Sequence, residues 1–182
     1  EEVVYLLWNL KLPTKEQLEA FKQQISNEME IPEGVIEHLR SYDLKSVHPM
    51  AALRTGISLL ALYDDEADDM SEEANRRKVI RLQAKFVAAF ARIRKGQEPV
   101  KPRKDLNFAA NFLYMLNGKE PEPIEVEAID KALILHADHE LNASTFTARV
   151  CVATLSDIYS GITAAIGALK GPLHGGANEQ VM

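Results

Sequence analysis

Apolar residues recur at intervals of three and four along most of the chain, the spacing that lines one face of an α-helix. Leu18, Phe21, Ile25 and Met29 follow this rhythm behind Thr14, a good N-cap with Pro13 just ahead of it. The pattern predicts an amphipathic helix there, ended by Ile31-Pro32. A short helix is expected from Pro32 through Arg40, because proline suits a first helical turn. Another starts near Pro49 and carries Leu53, Ile57 and Leu60 on one face. Behind Ser71 as N-cap runs a longer stripe of Val79, Leu82, Phe86, Phe90 and Ile93. Glu72 and Glu73 sit at the positive end of its dipole, and Arg92, Arg94 and Lys95 fall in its last turn before Gly96.

Residues 97–106 hold two prolines and three basic residues and read as a connection. Helices are expected over 107–116, stopped by Asn117-Gly118, and over 124–140, where Ala132 to Leu135 is apolar enough to be buried on most sides. Two more cover 144–155 and 158–169, and residues 1–8 read as the inside of a helix. No period-two run appears, and Asn117-Gly118 lies between helical patterns rather than strand-like ones. The predicted fold class is all-α, without internal repeat or low-complexity tract.

With 182 residues the chain can build one good core but not two large domains. An apolar share of 46% beside 26% charged residues is that of a chain that folds. The net charge of −6 argues against a nucleic-acid surface. One cysteine, Cys151, excludes an intrachain disulfide and suggests a reducing compartment, its thiol buried in an apolar stretch. The apolar run between Asp157 and Lys170 is interrupted by Ser160 and Gly161 and falls short of the ~20 residues that cross a bilayer. The first residues lack the basic start and cleavage site of a signal peptide. There is no initiator methionine, and 175–182 reads as a helix just beginning, so both ends read as cut.

Three segments concentrate unusual residues. In 64–73, seven residues of ten are acidic, but no glycine stands where a calcium loop needs its sharp turn, so a solvated loop is expected. In His136-Ala-Asp-His-Glu140 the two histidines would share a helical face with Asp138 and Glu140 nearby. A metal-dependent hydrolase using His136, Asp138 and His139 would be short of ligands, and the spacing alone favours a helix end whose histidines cap carbonyls. In Gly171-Pro-Leu-His-Gly-Gly-Ala-Asn178, Gly175 and Gly176 let the backbone approach a ligand and offer free amides as a helix begins. A histidine there feels the positive end of the dipole and stays neutral, able to donate to a carbonyl oxygen as an enol forms. The same motif taken alone reads equally well as a plain glycine-rich turn.

His136-Ala-Asp-His-Glu-Leu-Asn-Ala-Ser-Thr-Phe-Thr-Ala-Arg-Val150 and Gly171-Pro-Leu-His-Gly-Gly-Ala-Asn-Glu179 closely resemble two signature blocks of the citrate synthase family, in the right order and at the right separation. Supporting similarity runs through Val47-His-Pro-Met-Ala-Ala-Leu-Arg54 and Asn107-Phe-Ala-Ala-Asn-Phe-Leu-Tyr-Met-Leu116, so the resemblance covers essentially the whole chain. It implies a mostly helical protein of a large and a small domain, with 1–182 part of the large one and the remainder absent. The implied reaction condenses acetyl-CoA with oxaloacetate and water to citrate and coenzyme A, the first step of the tricarboxylic acid cycle. The only coenzyme is the one carried by the substrate, and no metal, nucleic-acid or membrane partner is implied. The resemblance also implies a homodimer, and a cytoplasmic location is expected, in keeping with the single cysteine.

By the same resemblance, His174 hydrogen-bonds the thioester oxygen during catalysis, His139 binds oxaloacetate, Asn142 lies beside that substrate and His136 gives support. The family's catalytic aspartate, its second catalytic histidine, substrate-binding arginines and much of the coenzyme A site fall beyond Met182, so the chain alone is expected to be inactive. Asp138 and Asp157 do not match the base motif. A 2-methylcitrate synthase fits the same motifs. From another class, a non-catalytic helical interaction module would use the glycine turn only structurally. Surplus apolar residues in 107–116 and 144–169 fit a dimer interface and a core equally well.

Overall fold

Capping chemistry fixes where the helices start. The computed structural model describes residues 1–84 and 87–175, and every regular element among them is helical. α1 (Glu2–Asn9) is followed by α2 (Lys15–Asn27), which Thr14 caps as expected. The Thr14 hydroxyl accepts from the Gln17 N–H at 3.2 Å, and the Gln17 side chain accepts from the Thr14 N–H at 2.9 Å, a reciprocal capping box. α3 (Glu33–Arg40) begins after Pro32. α4 (Pro49–Leu60) begins behind His48, whose Nδ1 accepts from the Met50 N–H, and runs into a 3-10 turn, Ala61–Tyr63. Ser71 caps α5 (Glu72–Ala84) by accepting from the Ala74 N–H at 3.2 Å, and α6 (Val87–Arg94) follows. The single helix expected here is described as these two lengths; Phe86 of the expected stripe lies outside the described residues. α7 (Phe108–Asn117) is capped by Asn107 and stops at Gly118, whose φ of 72° suits glycine.

Packing of the predicted stripes makes two apolar clusters. Phe21, Ile25 and Met29 bury themselves with Met115 of α7, and Tyr5 and Trp8 of α1 meet Phe21 edge-on at centroid distances of 5.6 and 5.7 Å. The larger cluster joins Val35 and Leu39 of α3, Ile57 and Leu60 of α4, Phe90 and Ile93 of α6 and Tyr159 of α10 (Ile158–Leu169). Residues 97–106 are the expected connection, and Asn111 of α7 pins them from inside. Fully buried, Asn111 accepts from the Arg103 N–H at 2.8 Å and donates to the carbonyls of Arg103 at 2.6 Å and Leu106 at 3.1 Å. These bonds satisfy backbone groups that no helix serves.

The acidic segment is a loop, but cations from α5 clamp it where solvation alone was expected. Arg81 places Nη1 2.6 Å from each oxygen of Asp64, while Arg77 and Arg81 both bond Glu66. Lys78, with no exposed surface, donates its ammonium to the carbonyls of Ala67 at 3.0 Å and Asp69 at 2.6 Å. The sequence conceals this role because a lysine on a charged helix face ordinarily reads as solvated. Lys78→Met keeps the stem and removes the donor, stranding two carbonyls. Amide exchange within 64–70 is then expected to rise about thirtyfold, equivalent to about 2 kcal/mol. Unchanged exchange would mean that Arg77 and Arg81 hold the loop by themselves.

α8 (Pro123–Leu135) differs from expectation in two ways. It ends at Leu135 instead of reaching Glu140, because the chain turns at His136, whose Nδ1 donates to the Ala132 carbonyl at 2.7 Å while Ala137 N–H bonds the Ile134 carbonyl. The stretch from Ala132 to Leu135 is exposed rather than buried, Leu135 to 76%. Apolar composition leads to burial only where a second surface meets it, and among the described residues α8 packs chiefly on α7. α9 (Ala143–Val152) pairs closely with α10, where a Cβ on Gly161 would lie 2.7 Å from Val152 Cγ1. The other side of α9 is open: Phe146 is 58% exposed, and Cys151 is half-buried rather than buried. The apolar surplus of 107–116 is thus core, with Ala109, Leu113 and Met115 buried, whereas that of α9 is surface. Among the described residues no helix is long and apolar enough to cross a membrane.

Candidate active site

His174 reaches its place through the turn that ends α10. The chain folds back after Leu169, and the His174 N–H bonds the Gly171 carbonyl at 3.0 Å. A Cβ on Gly175 would stand 2.8 Å from the Leu169 carbonyl oxygen, so close packing against the helix end itself demands glycine there. Gly176 and the helix expected after it lie outside the described residues. The fold-back aims the half-buried His174 ring at the first turn of α9, with Nε2 2.8 Å from Ser144 Oγ. That hydroxyl is also 3.0 Å from the Ala165 carbonyl of α10.

Ser144 has one proton and two acceptors within reach. A proton given to Ala165 obliges Nε2 to carry hydrogen and donate to Oγ, and in the neutral form of the ring the lone pair is then on Nδ1. Given to Nε2 instead, it leaves the hydrogen on Nδ1, where the ring donates outward. The sequence pattern puts Ser144 at the start of a helix and gives it no part in the site. The cap is in fact Asn142, whose Oδ1 accepts from the Thr145 N–H at 3.0 Å, so Ser144 falls inside α9. The usable signal was its place two residues after Asn142 within a family-like block. The cap occupies Asn142 Oδ1, while its Nδ2 has no bond among the described residues.

His139 lies on the exposed loop between α8 and α9, five residues before Ser144. It does not share a helix face with His136 as expected, yet the rings remain neighbours, with centroids 5.6 Å apart. His136 does cap a carbonyl at the helix end, the role that spacing alone favoured. Within the same loop the Glu140 N–H donates to Asp138 Oδ1 at 2.9 Å, and Glu140 has a left-handed φ of 58°. Among the described residues no group of three or more His, Cys, Asp or Glu could hold a metal ion, which leaves the hydrolase reading without a ligand set. Asp157 is committed to capping α10: burial pushes its carboxyl up, and the bonds from Ser160 and the backbone more than offset this, holding it below the usual carboxylate range.

Residues 1–182 match the model of the family described as citrate synthase, C-terminal domain. The chain is 73% identical to citrate synthase 2 of Bacillus subtilis over 185 residues, all of this chain and 50% of that protein. The citrate synthase structure from Pyrobaculum aerophilum superposes with a TM-score of 0.90 at 44% identity, over 98% of this chain and 47% of that one. The Thermoplasma acidophilum enzyme, solved as a ternary complex with carboxymethyl coenzyme A and oxaloacetate, gives 0.89 at 33% identity over the same shares. The chain therefore spans about half the length of the relatives it matches.

Proposed function

Since the chain belongs to the citrate synthase family, we propose that the full-length protein condenses acetyl-CoA with oxaloacetate and water, yielding citrate and coenzyme A. The observation that carries this reading is the imidazole of His174 held at Nε2 by Ser144, with Nδ1 left for a substrate. Removing a methyl proton from acetyl-CoA builds negative charge on the thioester oxygen, and a fixed donor there lowers the barrier most. His174 takes that part from Nδ1 when the Ser144 proton is directed to Nε2. His139 and Asn142 bind oxaloacetate. With Oδ1 committed to the helix cap, Asn142 acts through its Nδ2 as a donor, the polarity that a carboxylate or ketone oxygen requires.

Residues 1–182 form part of the large domain. The protein works in the cytoplasm as a homodimer, for which the exposed Phe146 and Val150 on α9 supply apolar contact surface.

Release of free thiol from acetyl-CoA by the full-length protein, dependent on oxaloacetate, is the expected result. Absence of turnover with every acyl-CoA offered would remove the reading. Faster reaction with propionyl-CoA in direct competition would replace it by 2-methylcitrate synthesis.

A further inference from the structure

The loop carrying His139 is too short and too exposed to be held by burial, so local bonds must fix its shape. On one side, His136 is tied to α8 through its ring and the Ala132 carbonyl. On the other, the chain must reverse within a few residues to enter α9, and it does so with Glu140 in the left-handed region, unfavourable for a residue with a Cβ. Asp138 offsets that cost by accepting the Glu140 N–H at 2.9 Å, a side-chain bond that closes a turn around the intervening residue, His139.

We propose that Asp138 is a positioning residue for oxaloacetate binding: its carboxylate holds the turn that orients His139 and has no contact with substrate itself. The proposal rests on the reading of His139 as an oxaloacetate ligand. Without the turn, Glu140 relaxes towards ordinary backbone angles, and the direction of the His139 ring changes with it. The loss falls on ground-state binding, because the group that meets the thioester, His174, is anchored separately through Ser144.

In the full-length enzyme, Asp138→Ala is expected to raise the KM for oxaloacetate about three- to tenfold, the scale of one hydrogen bond. The kcat and the KM for acetyl-CoA should stay within about twofold. Asp138→Asn keeps an acceptor oxygen in the same place and should restore the KM. An unchanged KM in Asp138→Ala, or a defect in Asp138→Asn as large as that in Asp138→Ala, overturns the proposal. His139→Ala is measured alongside: a KM for oxaloacetate that this change leaves unaltered removes the ligand reading itself, independently of the Asp138 result.

Discussion

His174→Ala in the full-length protein lowers turnover by about 10² to 10³-fold, the usual loss when one preorganised donor to a developing oxyanion is removed. The expected signature is a fall in kcat with little change in the KM for oxaloacetate, since that substrate is assigned to His139 and Asn142. Ser144→Ala tests the other half of the arrangement. It keeps the ring but removes the proton that directs hydrogen onto Nδ1, so rate should fall by about tenfold, less than for loss of the ring. The double variant should be no slower than His174→Ala alone, because Ser144 acts only through the imidazole. Full rate in His174→Ala, or fully additive losses in the double variant, would show that the ring and the hydroxyl do not work as one unit.

How legible this was differs by element. α2, α4 and α7 were readable because their starts, stripes and stops agree: Thr14, Pro49 and Gly118 stand where local chemistry wants them, while Asn107, expected inside α7, is its cap. α8 misled because its apolar residues face a surface that the described chain does not cover, and periodicity reports an apolar face without saying what meets it. The early stop at Leu135 was hidden because it depends on a side chain, His136, bonding back to a carbonyl. At the candidate site, unusual neighbours single out His139 and His174 in the sequence. Nothing singles out Ser144, since its bond to His174 spans 30 residues and no local pattern encodes it. Lys78 and Arg81 were unreadable for a related reason, as both act on a loop that precedes their own helix.

Arg81→Met is expected to destabilise the fold by about 3 kcal/mol at neutral pH, because it strands the Asp64 carboxylate, whose side chain is only 7% exposed. The Tyr159 hydroxyl also donates to Asp64, so the damage extends to the junction of α10 with the larger apolar cluster. The pH dependence follows from the carboxylates. Burial pushes Asp64 up, but bonds from Tyr159, the Glu66 backbone and Arg81 outweigh it and leave the group below its ordinary value. Hydrogen bonds from Arg77 and then Arg81 hold Glu66 at about 2 instead of 4.5. Both groups are thus depressed in the folded state, so their stabilisation is present above the ordinary carboxylate range and is lost as pH falls through the folded values. Urea unfolding of the parent should show stability falling from about pH 4.5 towards about pH 2. In Arg81→Met the fall should be shallower, so the gap between the two proteins narrows with acid. Asp64→Asn combined with Arg81→Met should recover part of the loss, since no buried charge is then left alone. A gap of constant size from pH 7 to pH 3 would mean that Arg81 stabilises the fold by packing its stem and not by its charge.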